Sequence, residues 1–299
     1  MGFKSLDSIV KMANKKNQSL FEVILYEDMS ERDVSRDKSF GEMLKLWEAM
    51  KNSYNNHSPS LKSASGLVGG DSELLKKYGT EGGPEGTAVS GETLCGEFAN
   101  KVMYTAMAIA ESNACMKCIV AAPTAGSCGV MPGVLIPFAE RFNVSDEKIA
   151  EALYVSAGVG EIIAQRASIA GAQGGCQAEI GSAAAMAAAA LAYLMGQSAD
   201  MVMNAAALAL KNMLGLACDP VAGLVEVPCV KRNSFGAMNA VMAADMSMAG
   251  IKSVIPADEV IDAMGEIGSL MPAAIKETSK AGLAATDTGV RILKKQKGF

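Results

Sequence analysis

Positive charge is scarce in this sequence: 27 lysines and arginines stand against 32 aspartates and glutamates, a formal net charge of −5 over 299 residues. A basic nucleic-acid binder is therefore excluded as the default reading. Aromatic residues are only 5% of the chain and histidine occurs once. The composition is neither disorder-like nor collagen-like, so a chain of this length is expected to bury one large core or two joined lobes. MGFKSLDSIVKMANKKN has no apolar run between a basic start and a small-residue cleavage site, so no secretory signal is expected and the cytoplasm is the expected compartment. Two uncharged stretches, 119–139 and 180–199, are long enough to cross a bilayer. The first is broken by Pro123, Pro132 and Pro137, and the second is mostly alanine and too weakly apolar, so no membrane span is expected.

What the chain has in quantity is small and flexible side chains. Alanine, glycine and methionine together make up about a third of it, with 48, 30 and 20 residues. Such residues let helices pack closely. Residues 121–250 hold only 16 of the 59 charged residues and are expected to be the buried body. Before it, Leu6–Met12, Leu20–Tyr26 and Phe40–Trp47 show apolar residues at helical spacing, with Ser30 the expected N-cap of the last. Residues 52–96 turn to serine, asparagine, proline and glycine, which predicts a long loop region. Helices are expected at about 97–118, 145–170, 176–195, 199–216, 234–250 and 257–270. No strand-like alternation or fixed repeat appears. The expected architecture is mainly α, a single domain over 1–299 with peripheral helices at 1–50, the Gly/Ser-rich loop at 52–96 and a helical core at 97–299.

Three glycine-flanked turns interrupt the apolar body: APTAGSCGVMPG (121–133), AGAQGGCQAEIGS (170–182) and LACDPVAGLVEVPCVKRN (216–233). Polar backbone in a core is costly unless something satisfies it, so a ligand or cluster would account for these turns. Seven cysteines, an odd number, argue against a disulfide framework and for metal-binding or catalytic thiols, with inert buried thiols the plain alternative. Cys115 and Cys118 form a C-x-x-C within an apparent helix, without a second pair or nearby histidine, and read as ordinary thiols. Cys95 stands alone. Cys128, in a glycine turn, is open to either reading. Cys176, Cys218 and Cys229 each sit in a turn beside glycine or proline, although their spacings match no ferredoxin or zinc-ribbon pattern. With one histidine in the chain, three thiolates favour zinc, copper(I) or an iron–sulfur cluster. A cubane held by three cysteines leaves one iron to polarise a substrate oxygen. If Cys176 opens the helix at 176–195, that N-terminus also favours a negative cluster.

The runs SASGLVGGD (63–71), APTAGSCG (122–129), GGCQAEIGSAAAMAAAA (174–190), LKNMLGLACDPVAGLVEVPCVKRN (210–233) and GLAATDTG (282–289) resemble the α chain of the iron–sulfur-dependent L-serine dehydratases. The resemblance covers nearly the whole chain and is weakest before about residue 60. It implies a mainly α fold and a four-iron four-sulfur (4Fe-4S) cluster held at Cys176, Cys218 and Cys229. It also implies dehydration of L-serine to aminoacrylate, and thence pyruvate and ammonia, within amino-acid degradation and gluconeogenesis. Single-chain members bring a C-terminal cysteine to the cluster. This chain ends KKQKGF with no cysteine after Cys229, so the fourth iron is expected to be free. The family's base, a histidine in a Ser-Ser-His-Thr motif, belongs to the β portion, and its absence here implies a β partner chain. His57, in NNHSPS, reads as a surface loop residue.

The serine carboxylate must also be held. The candidates are Lys231, Arg232 and Asn233 beside Cys229, and the N–H groups and hydroxyls of Ser63, Ser65, Thr124 and Ser127. Asp219 and Glu179 stand next to cluster cysteines, as ligand-orienting groups or as helix-end partners. Three other readings compete. A pyridoxal-phosphate lyase is suggested by Ser60-Leu61-Lys62, which resembles a Schiff-base lysine stretch, but it needs an α/β sheet. A cysteine desulfidase would use the same cluster to expel sulfide. A non-catalytic helical subunit would leave methionine as gap-filler and the cysteines as core.

Overall fold

The computed structural model describes residues 2–82 and 93–298. The first helices are α1 (Leu6–Lys16), α2 (Leu20–Arg32), α3 (Arg36–Asn55), α4 (Asp71–Glu81) and α5 (Gly96–Ala114). They are followed by α6 (Val130–Phe142), α7 (Asp146–Arg166), the one-turn α8 (Gly171–Gly174) and α9 (Ser182–Leu194). The last are α10 (Ala199–Lys211), α11 (Cys229–Met248), α12 (Ala257–Leu270) and α13 (Asp287–Gln296). Among the described residues there is no strand, only an isolated parallel bridge between Cys218 and Lys276, so the fold is mainly α as the composition predicted. No helix among them is long and apolar enough to cross a membrane.

The architecture is organised around α9. Its sequence, SAAAMAAAALAYL, is buried without interruption from Ser182 to Ala192. A helix apolar on every side has no face to give to water and belongs in the middle of a bundle. Its alanines let α6, α7, α10 and α11 approach on different sides. Glycines serve the same end elsewhere: a Cβ on Gly133 of α6 would lie 2.5 Å from the Ala106 Cβ of α5. The first three helices pack outside this body against α7. Trp47 of α3, 1% exposed, donates its indole N–H to Asp146 Oδ1 (2.6 Å) in the first turn of α7.

Several expectations need correction. Ser30 lies within α2; the N-cap of α3 is Ser35, whose hydroxyl accepts from the Lys38 N–H. The region read as loop contains α4, whose start carries no capping side chain of its own. Instead, Glu111 of α5 accepts from the Asp71 and Ser72 N–H groups at 2.8 and 3.2 Å, a cap supplied from about 40 residues away. The turn read at 121–133 passes into α6, which tolerates Pro132 in its first turn and carries Pro137 inside. His57 is not a surface residue. Its side chain is 9% exposed, with Nδ1 3.3 Å from Ser112 Oγ and Nε2 3.1 Å from Ser72 Oγ and 3.3 Å from Glu111 Oε2. Helix α11 begins at Cys229, five residues earlier than expected. It places that cysteine in a first turn.

Candidate metal centre

The turn cysteines come from three separate segments, and two of them, Cys176 and Cys218, meet within ligand distance. Gly175, at φ 77°, takes the chain out of α8, and a Cβ there would lie 2.9 Å from the Leu216 carbonyl oxygen and 2.8 Å from Met271 Sδ. Only glycine fits that close approach. Cys176 follows and opens a π-helical turn, Gln177–Gly181, that runs into α9. The Gln177 N–H donates to the Leu216 carbonyl (3.1 Å), which ties this turn to the segment holding Cys218. Cys218 is itself fixed by two backbone bonds, its N–H to Ile275 O (2.9 Å) and its carbonyl from Glu277 N–H (2.7 Å). Cys229 heads α11. All three are buried, whereas Cys95 and Cys118 are exposed and Cys115 is half-buried. Cys128 is buried against Ile109, its thiol pushed up to about 12 by burial, as an inert core thiol should be.

The thiols share charge. Cys176 is held below its ordinary value, first by its hydrogen bond with Cys218 and then by the Arg232 guanidinium. Cys218 is driven up by that same bond and by burial, and Cys229 rises to about 12 through burial and the charge on Cys176. Burial and mutual charge thus oppose ionising all three thiols together, a cost that a bound cation would offset. Cys176, Glu179 and Cys218 place one ligand atom each within 4.8 Å of one another. Glu179 Oε2 is 4.0 Å from Cys218 Sγ, and a Cβ on Gly171 would meet both, at 2.6 and 3.2 Å. Two thiols and a carboxylate within ligand distance, a third buried thiol at the start of α11 and a half-buried guanidinium fit a thiolate-held metal or iron–sulfur centre.

The residues expected to hold substrate fall into groups. Thr124 and Ser127 lie against the centre: Thr124 Oγ1 donates to Glu179 Oε1 (2.8 Å) and is 3.1 Å from Ser127 Oγ. Arg232 points inward but is committed, donating to Ala217 O (2.8 Å) and Asp219 Oδ1 (3.1 Å). Asp219 also accepts from the Leu283 N–H (2.8 Å), and Gly282 leaves room for it, so the GLAATDTG run is anchored to the Cys218 segment. Asn233 is a clamp. Its Oδ1 accepts from Gly129 N–H, and its amide donates to Gly126 O and Cys229 O, at 2.8, 2.8 and 3.0 Å. Ser63 and Ser65 both donate to Glu226 Oε2, the first at 3.0 Å, one step removed from Cys229. Lys231 turns away and pairs with Asp71 at 2.7 Å. Sequence reasoning missed Glu226, a buried carboxylate three residues before a candidate ligand, a position that could have marked it.

The Serine dehydratase alpha chain family matches residues 15–284. Over 293 residues the chain is 43% identical to the probable L-serine dehydratase, alpha chain, of Bacillus subtilis (strain 168), covering 98% of this chain and 95% of that one. Over 285 residues it is 38% identical to the L-serine dehydratase, alpha chain, of Peptoniphilus asaccharolyticus, covering 95% and 94%. The L-serine dehydratase of Streptomyces coelicolor is 34% identical over 291 residues, 94% of this chain but only 60% of that longer polypeptide.

Proposed function

This chain belongs to the serine dehydratase alpha chain family, and on that premise we propose that it converts L-serine to pyruvate and ammonia with a 4Fe-4S cluster held by Cys176, Cys218 and Cys229. The observation that carries the reading is the meeting of two buried thiols from distant segments, Cys176 and Cys218, with Glu179 within ligand distance of both and a third buried thiol, Cys229, heading α11. When bound, the cluster supplies a Lewis acid that helps the β-hydroxyl of serine to leave. The protein's own part is to hold and shield. Arg232, whose charge is opposed by burial but upheld by Cys176 and Asp219, offsets the negative charge of the thiolates. Thr124 and Ser127 lie on the Glu179 side of the centre; Thr124 spends its hydroxyl proton on Glu179, which leaves the Ser127 hydroxyl as the candidate donor to the substrate carboxylate.

Loss of the α-hydrogen and the β-hydroxyl gives aminoacrylate, whose imine tautomer takes up water to give pyruvate and ammonia. A base is needed for the α-hydrogen, and positioned proton transfer is typically worth about 10²- to 10⁴-fold. We assign that base to a β chain, the counterpart of the remaining length of the longer single-chain relative. Seven unpaired cysteines suit a reducing cytoplasm. The pyridoxal-phosphate reading has lost its support, because Lys62 is exposed and the described residues form no sheet.

The test is anaerobic purification with and without a co-expressed β chain, followed by iron and sulfide counts and pyruvate assays on L-serine and L-cysteine. Iron near four per chain and pyruvate from L-serine only with the β chain are expected. Full activity in iron-free protein refutes the proposal, and sulfide release from L-cysteine in preference to serine turnover would replace it with a desulfidase.

A further inference from the structure

We propose that Glu179 is the residue that recognises the α-ammonium group of the substrate, an inference that rests on the serine-deaminating reading above. An amino acid brings one cation into this site, and a buried site must offer it a counter-charge or bear the cost of stripping its water. Three buried or half-buried carboxylates lie near the thiols. Asp219 is taken by Arg232 and by the Leu283 N–H. Glu226 receives the Ser63 and Ser65 hydroxyls on Oε2 and, unlike Glu179, is not grouped within ligand distance of the Cys176 and Cys218 sulfurs. Glu179 is different. Its Oε1 receives the Thr124 hydroxyl, while Oε2 has only the Cys218 thiol, at 4.0 Å. Among the described residues no lysine or arginine forms an ion pair with it, the half-buried guanidinium of Arg232 being spent on Asp219, Ala217 and the Cys176 thiol.

Its position is built. The π-helical turn Gln177–Gly181 inserts an extra residue just after Cys176, and such turns recur where a side chain must be re-aimed at a functional site. Two glycines clear the space around the carboxylate: a Cβ on Gly171 would lie 2.6 Å from Oε2, and one on Gly126 3.2 Å from Oε1. Glu179 lies within ligand distance of the Cys176 and Cys218 sulfurs, so a cation accepted by it sits within reach of whatever the thiols hold. The Thr124 bond fixes one oxygen and leaves the other beside the Cys218 thiol.

The test compares L-serine with 3-hydroxypropanoate, which keeps the carboxylate and hydroxyl but lacks the ammonium group, on the complete α–β enzyme handled anaerobically. Glu179→Gln keeps the shape and the Thr124 contact. It should hold the same iron and sulfide and the same visible absorbance as wild type. Its KM for L-serine should rise at least about 30-fold, the lower end for breaking a buried charge pair, while the Ki of 3-hydroxypropanoate stays within twofold. Equal weakening of both ligands, or of neither, overturns the inference while leaving serine turnover by wild type intact. Loss of iron from the variant also overturns it and makes Glu179 a cluster ligand. Wild type that takes neither ligand removes the functional reading and this inference together. Should Glu179→Gln fail to fold, Glu179→Asp carries the same comparison, its carboxylate drawn back by one methylene: serine weakened and the hydroxy acid unchanged support the inference, and any other pattern refutes it.

Discussion

Asn233→Ala separates a clamp from a substrate contact. Asn233 is 1% exposed and joins the 126–129 turn to the first turn of α11, which begins with Cys229. Truncation leaves the buried Gly129 N–H without an acceptor, at about 1–3 kcal/mol, and frees the half-buried Gly126 carbonyl, which water can partly serve. The Cys229 carbonyl retains its donor within the helix ladder and adds little. The sum is about 2–3 kcal/mol, which at about 2 °C per kcal/mol for a domain of this size lowers the melting temperature by about 4–6 °C. Urea midpoints and a melting curve on wild type and variant measure this directly, together with iron content. If the midpoint is unchanged within about 0.5 kcal/mol and KM for L-serine rises tenfold, Asn233 contacts substrate and the clamp argument fails.

The remaining expectations concern the thiols, the packing and pH. Serine substitution of Cys176, Cys218 or Cys229 should abolish iron and sulfide binding while the exposed Cys118→Ser protein keeps both; iron retained by all four variants would move the centre elsewhere. Gly129→Ala should cost about 2–3 kcal/mol, since the backbone at φ −81° accepts alanine but its Cβ would lie 2.2 Å from the Ala106 carbonyl oxygen; a melting temperature within a degree of wild type would contradict the observed approach of α5 and α6. Burial holds His57 below its ordinary value of 6.5, against the pull of Glu111 and Glu73. The unfolded chain therefore takes the proton first, so the contribution of His57 is present above about pH 6.5 and is lost as pH falls through it. The urea-midpoint gap between wild type and His57→Gln should narrow from pH 7.5 to 5.5, and a gap that widens would mean that Glu111 outweighs burial.

The distinctive thiols were legible where chemistry is carried by residue type. Cysteines in glycine and proline turns stood out against an apolar body, and all three prove buried and in reach of one another's charge. The hydroxyls and amides chosen as substrate contacts were less distinguishable, because such groups bind backbone as readily as ligand: Asn233 is consumed by the turn beside it, Arg232 by Asp219, and Lys231 by Asp71. Glu226 and the role of Glu111 could not be found from local pattern, since the partners of each lie far along the chain.

The mainly α architecture and a helix beyond Cys176 within the buried body followed from the sequence alone, because periodicity and side-chain size are properties of residues and their near neighbours. Tertiary structure alone decided that α4 is a helix, that His57 is inside, and that Glu179 has an oxygen without a cation. Each of these depends on what a distant segment brings: a carboxylate to cap a helix start, a wall to bury an imidazole, a guanidinium already bound elsewhere. Contacts of that kind have no local signature, and the chain must close on itself before they exist.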